Sequence, residues 1–396
     1  MYIQRKLEPQ ILLLAKEYPV ITLVGPRQSG KTTLARHLFP DYSYINLEDP
    51  QTRTFATEDI NGFFKSYGSH LILDEIQNVP TLLSKIQVIV DENEQEPAQF
   101  ILTASQELKV GDSIAQSLAG RTSLFTILPF SMAELTEAGI AIQTRDKQIL
   151  HGFMPRVYQT KTLNTYDYYR NYIATYVEKD VKQITAIQDE LVFHKFLTLL
   201  SGRVGNLLNY SSLSNDLGVA KKTIERWISL LKASHIIYLL QPWFPSRTST
   251  IVKTPKLYFH DTGVVSVLLG IETENQMLRD PLRGNLFENM VVMEALKQRV
   301  NINRPENLYF FKNSNGLEVD LLFQDQRLLV PYEIKSSETF SKDQFANIVK
   351  FRKTYPNYLD TEKSGGLIYA GNEACTFLGN SVTPFQNTAG LFLGTT

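Results

Sequence analysis

The sequence predicts an α/β protein of several domains. A doubly wound parallel sheet built around a phosphate-binding loop comes first, followed by a helical linker, a winged helix and a C-terminal α/β domain. Three observations carry this reading. Gly25-Pro26-Arg27-Gln28-Ser29-Gly30-Lys31-Thr32 stands between the apolar run Val20-Ile21-Thr22-Leu23-Val24 and the helix-like Thr33-Leu34-Ala35-Arg36. Through roughly the first 130 residues, apolar strands alternate with helical patterns. Farther on, Glu288, Asp320 and Glu333-Ile334-Lys335 have the order and strand placement of a metal-dependent nuclease core.

A buried strand that feeds a glycine-rich turn and then a helix aims backbone N–H groups at the β- and γ-phosphates of a nucleotide. Lys31 adds a point charge and the Thr32 hydroxyl reaches Mg²⁺, so the segment from Gly25 through Thr33 is expected to bind ATP. A glycine turn that merely carries a lysine lacks this full spacing and these flanks. In His70-Leu71-Ile72-Leu73-Asp74-Glu75-Ile76-Gln77 an apolar strand ends in two carboxylates. Asp74 is the expected metal-side residue and Glu75 the base that polarises the attacking water. The strand Gln99-Phe100-Ile101-Leu102-Thr103-Ala104-Ser105-Gln106 ends in hydroxyls at the same sheet edge, where Thr103 or Ser105 can sense the γ-phosphate. An ordinary hydroxyl-rich strand end is the other reading. Arg121 follows the turn residue Gly120 and has two readings: contact with the γ-phosphate of its own or a neighbouring subunit, or a surface carboxylate pair.

At 396 residues the chain suggests two to four domains, and 43% hydrophobic with 20% charged residues excludes disordered and fibrous classes. Its one cysteine rules out an intrachain disulfide framework and fits a reducing cytoplasm. No apolar run is long enough for a bilayer and the N-terminus lacks signal-peptide features, so no membrane association is expected. With a net charge of −1, nucleic-acid binding must come from local basic faces.

Strands are expected near 20–24, 43–47, 70–74, 99–104 and 123–128, with helices after 31, 50 and 80. From 131 to 187 the pattern turns helical, and its tyrosines, 166–176, read as core packing against the first domain or as base-stacking groups. Residues 211–217 read as a short helix capped by serine and stopped by Gly218, and 221–233 as a second helix with Ile224, Trp227, Ile228 and Leu231 on one stripe. Lys221, Lys222 and Arg226 lie off that stripe. With the following strand, 236–240, this makes a winged helix-turn-helix in which Lys221, Lys222, Thr223 and Arg226 contact DNA, or a module used only for packing. A wing is expected near 242–256, with Arg247, Lys253 and Lys256. An amphipathic helix over 283–296 then carries Glu288, and strands follow at 308–312, 318–323 and 328–336. Strand alternation puts Glu333 and Lys335 on one face, where carboxylates of Glu288, Asp320 and Glu333 can hold Mg²⁺ while the Lys335 ammonium orients water. A residual ion-pair cluster without activity is the alternative, and Glu318 reads as a solvated strand residue.

The segments 25–32, 71–77, 102–106, 118–121, 172–181, 261–263, 284–294, 316–320 and 333–337 together resemble the bacterial and archaeal ATPases that join an AAA-type P-loop domain to a DUF4143 domain. The resemblance implies an AAA-type ATPase domain over 1–138, a helical lid or linker over 139–190, a winged helix over 191–256 and a restriction-endonuclease-like domain of the PD-(D/E)xK type over 257–396. Two departures stand out: Ala104 where the family usually has glycine before the serine, and His151-Gly152-Phe153-Met154-Pro155 in place of a Gly-Gly turn. The expected function is ATP hydrolysis with Mg²⁺, coupled to DNA binding or processing; the alternative is a nucleotide-gated switch for a protein partner with a vestigial nuclease-like domain. A homo-oligomer is compatible with either. A metabolic kinase is disfavoured, since it needs neither the winged helix nor the Glu333–Lys335 strand.

Overall fold

The computed structural model describes residues 2–93, 95–105, 117–160, 162–177, 190–245 and 252–394. Gln106, Arg247 and residues 178–181 lie outside them. The chain divides into two compact units: residues 1–130 with 233–235 and 300–303, and the remainder.

In the first unit β1 (Val20–Val24), β2 (Ser43–Asn46), β3 (Leu71–Asp74), β4 (Phe100–Ala104) and β5 (Thr122–Thr126) form one parallel sheet in the order β2-β3-β4-β1-β5. Every residue of β1, β3 and β4 is buried, as expected of central parallel strands covered on both faces, whose sequences read as continuous apolar runs. One core packs Phe63, Leu73, Ile86 and Leu102 on one side of the sheet. Leu34, Ile72, Ile101 and Phe125 pack on the other. All strands run the same way, so the loops after β1, β3 and β4 meet at one edge.

The second unit holds an eight-stranded mixed sheet in the order β12-β13-β11-β10-β9-β8-β6-β7. Its strands are β6 (Ile237–Pro242), β7 (Lys256–Phe259), β8 (Leu308–Lys312), β9 (Glu318–Asp325), β10 (Leu328–Lys335), β11 (Gly366–Tyr369), β12 (Cys375–Phe377) and β13 (Asn380–Pro384). The basic helix, Lys221–Ala233, buries Ile224, Trp227, Ile228 and Leu231 as the spacing predicts. The preceding helix, Tyr210–Leu217, stops at Gly218 in the left-handed conformation, but its N-cap is Asn209, whose side chain accepts from Ser212 N, and not a serine. β6 pairs antiparallel with β7 and also joins β8 in the large sheet.

One expectation is corrected in this unit. The helix Arg283–Val300 buries every residue from Leu286 to Arg299 except the partly exposed Glu288, and is not amphipathic. Its polar side chains mimic a solvent stripe in sequence but bond inward. Asn289, for example, accepts from Phe259 N at 2.7 Å and donates to Phe259 O at 2.9 Å, pairing with β7 as a strand would. Of the tyrosines, Tyr169 is fully buried, and a Cβ on Gly152 or Gly263 would collide with its ring. At the His151–Pro155 turn only Gly152, at φ 64°, needs the left-handed conformation. His151 ends the preceding helix and packs edge-on against Tyr158, so that turn does not require a second glycine.

Candidate functional site

The phosphate-binding loop leaves β1 and enters the helix Lys31–Leu38 through Gly30, which caps it at φ 96°. Gly25 is required by crowding: at φ 143° any Cβ would strike the carbonyl of Ile127, whose N–H bonds Val24 O at 2.7 Å. Lys31 is buried, and its ammonium donates to the carbonyls of Gly25 at 3.0 Å and Pro26 at 2.8 Å, within the loop's concavity. Arg27 pairs with Glu48 at 3.1 Å, and Gln28 takes the left-handed conformation at φ 61°. Thr33 is exposed on the helix's first turn. Sequence reasoning missed Arg5. Its guanidinium is buried and donates to Ser29 O at 2.9 Å and Leu128 O at 2.5 Å, tying the loop to the segment after β5. No local pattern marks that role, because it depends on partners 24 and 123 residues away.

Thr32 Oγ1 donates to Asp74 Oδ1 at 2.8 Å, and Thr103 Oγ1 donates to the same oxygen at 2.5 Å. Tyr44 donates to Asp74 Oδ2 at 2.8 Å; burial and that bond hold its phenol well above the usual pKa. Glu75 stands at φ 59°, ψ 51°, a conformation rare for glutamate, and its N–H donates to Thr103 Oγ1 at 3.1 Å. Its carboxylate accepts from Ser105 at 2.7 Å and from Gln77, while Gln77 also donates to Ser105 at 3.0 Å. Thr103 therefore supports both acidic residues, and Ser105 bonds the carboxylate of Glu75. Ala104 is buried without a positive φ, so no glycine is needed before Ser105. The hydroxyl and carboxylate of Thr32 and Asp74 form an oxygen-donor set suited to a hard divalent cation.

Arg121 is not at this edge. It precedes Thr122, which pairs with Val20 at the start of β1, while the loop follows Val24, about 16 Å away along a five-residue strand. It chelates Asp91 at 2.5 and 2.9 Å and donates to Ala119 O at 3.1 Å. The Asp91 pair is the surface-carboxylate contact that formed one of the two readings of this arginine. On the Lys221–Ala233 helix, Lys221, Lys222 and Arg226 are exposed and Thr223 is half-buried; Lys221 lies 3.7 Å from Glu225.

In the second unit, Glu288, Asp320, Glu333 and Lys335 come together with Lys256 and Glu318, expected as a wing cation and a solvated residue, and with Tyr258 and Lys312. Lys335 Nζ donates to Asp320 Oδ2 at 2.9 Å and Glu333 Oε2 at 2.7 Å, which confirms the shared face. Ile334 N also donates to Asp320 Oδ2 at 2.9 Å. Lys256, expected on a wing, instead opens β7 at 3% exposure, with its ammonium 3.0 Å from Glu288 and 2.8 Å from Glu318. Glu318 is correspondingly no solvated strand residue, since Lys312 also bonds it at 2.6 Å. Tyr258 donates to Glu288 at 2.6 Å. Burial raises the pKa of Glu288, with Lys256 opposing. Burial, reinforced by Asp320, raises that of Glu333. At Asp320 burial acts upward, but Lys335 and Lys256 outweigh it and the net shift is down.

Residues 17–136 match the AAA domain family, 142–275 a domain of unknown function, DUF8612, and 283–387 the domain of unknown function DUF4143. An uncharacterized protein of Mycobacterium tuberculosis is 28% identical over 325 residues, 81% of this chain and 71% of the relative. One from Methanocaldococcus jannaschii is 25% identical over 366 residues, 83% and 77% of the two chains. Among solved structures, a Walker-type ATPase of Pyrococcus abyssi is 15% identical at a TM-score of 0.43, covering 67% of this chain and 96% of that one. The Thermotoga maritima RuvB Holliday junction branch migration motor is 16% identical at 0.31, covering 60% and 89%.

Proposed function

We propose that this chain, whose residues 17–136 match the AAA domain family and 283–387 the DUF4143 family, hydrolyses ATP with Mg²⁺ and couples turnover to its grip on DNA. The observation that carries the reading is the hydrogen-bonded array at the ends of β3 and β4, where Thr32, Asp74, Glu75, Thr103 and Ser105 are linked beside the loop. In this reading the loop N–H groups and Lys31 bind the phosphates. Thr32 and Asp74 would hold Mg²⁺, which when bound would neutralise charge on the phosphate oxygens. Glu75 takes a proton from the attacking water, and Ser105 and Gln77 fix the orientation of its carboxylate.

The DNA-binding part rests on the exposed cations of Lys221, Lys222 and Arg226 on one helix. Among the described residues no helix is long and apolar enough to cross a membrane. Cys375 is free and exposed, in keeping with a reducing cytoplasm. The deciding measurement is the ATPase rate with and without single-stranded, duplex and branched DNA at low and high salt. Stimulation that fades with salt supports the proposal. A rate indifferent to every DNA points instead to a nucleotide-gated switch acting on a protein partner.

A further inference from the structure

The nuclease-like layout implies a divalent cation among Glu288, Asp320 and Glu333, but the side chains around them do not fit one. We propose that the Lys256 ammonium is the resident cation of this cluster, so that the domain neither binds a divalent metal there nor cleaves nucleic acid by a metal-dependent route.

Lys256 is buried at the start of β7 and bridges Glu288 Oε1 and Glu318 Oε1 at 3.0 and 2.8 Å. Tyr258 adds a third group to that region by donating to the same Glu288 oxygen at 2.6 Å. Lys335 bridges Asp320 and Glu333 at 2.9 and 2.7 Å, and Lys312 binds the second oxygen of Glu318 at 2.6 Å. Three ammonium groups thus face four carboxylates. Glu333 Oε1 is buried without a hydrogen-bond partner, but the other Glu333 oxygen and Asp320 Oδ2 are already held by the Lys335 ammonium, and Glu288 Oε1 by Lys256 and Tyr258. Among the described residues no three His, Cys, Asp or Glu side chains converge in a metal-holding arrangement. The four carboxylates and three ammonium groups carry a formal charge of −1 with Lys256 and would carry −2 without it, the complement of a dication. The lysine supplies positive charge where that balance calls for a metal. Its role is to staple β7, β9 and the Arg283–Val300 helix, which carry Lys256, Glu318 and Glu288.

The test uses the full chain, stripped with EDTA and free of nucleotide, titrated with Mn²⁺ alone and followed by electron paramagnetic resonance. Wild type and Asp320→Asn should give the same titration, and neither should cut supercoiled plasmid in Mn²⁺. Lys256→Met should gain a site, binding Mn²⁺ at least about tenfold more tightly than wild type, because a buried positive charge has been removed beside it. Wild-type binding or plasmid cleavage that Asp320→Asn abolishes would overturn the proposal, as would a folded Lys256→Met protein that gains no Mn²⁺. If Lys256→Met does not fold, the comparison of wild type with Asp320→Asn still decides.

Discussion

Replacing Thr103 by valine removes one hydroxyl and little volume, and that hydroxyl holds two residues at once. It donates to Asp74 Oδ1 at 2.5 Å and accepts from Glu75 N at 3.1 Å, and the threonine is fully buried. A hydrogen bond to a charged group contributes about 1.5–3 kcal/mol, and leaving the Glu75 N–H without its acceptor costs a further ~1 kcal/mol or more. Thr103→Val should therefore lose about 3 kcal/mol of stability, read as a lower urea midpoint at unchanged slope. Asp74 keeps its bonds from Thr32 and Tyr44, so nucleotide affinity should change little. Glu75 loses the support of its left-handed backbone, and since ~1.4 kcal/mol is tenfold in rate, kcat should fall about tenfold. A Thr103→Val protein with wild-type kcat and an unshifted urea midpoint would refute the idea that this hydroxyl organises the two carboxylates.

Lys31→Ala should abolish nucleotide binding, measured by fluorescent-nucleotide titration, whereas Glu75→Gln should retain ATP and stop phosphate release. Wild-type turnover by the latter would show that another group takes the proton. Neutralising Lys221, Lys222 and Arg226 together should weaken DNA binding similarly across sequences and flatten the plot of log affinity against log salt. An unchanged slope removes this helix from the interface. Glu294, buried in the second unit, has its pKa pushed by burial up to about 7 against Lys297 and the bonds from Met132 N and Gln298. A folded-state value above the unfolded one stabilises the fold below about pH 4.5, and that stabilisation is lost as pH rises through 7, by roughly 3 kcal/mol. Urea midpoints measured from pH 5 to 8 should therefore fall less for Glu294→Gln than for wild type, and parallel curves would contradict the assignment.

The loop 25–32, the strand ending in Asp74-Glu75 and the apolar stripe of the basic helix were legible because each is a local pattern. A glycine turn between strand and helix, or an apolar stripe at helical spacing, has one economical solution whatever lies elsewhere. The shared face of Glu333 and Lys335 follows in the same way from the two-residue alternation of a strand. The amphipathic reading of Arg283–Val300 failed because polar residues on a helix look alike in sequence whether they face water or, as Asn289 and Glu294 do, bond inside the fold.

The chain's own residues thus determined that it carries a nucleotide-binding sheet and a second α/β unit, and named most of the groups at the first site. Tertiary structure decided the partnerships. Arg121 belongs to Asp91 because strand direction puts it at the sheet edge away from the loop. Arg5 reaches Ser29 only because its segment folds back onto the loop. Lys256, indistinguishable in sequence from a surface cation among serines and threonines, became a buried counter-ion when β7 packed against a helix begun 27 residues later. Charge is a property of a residue, but its sign matters only through what burial places within a few ångströms of it, and chain spacing does not encode that distance.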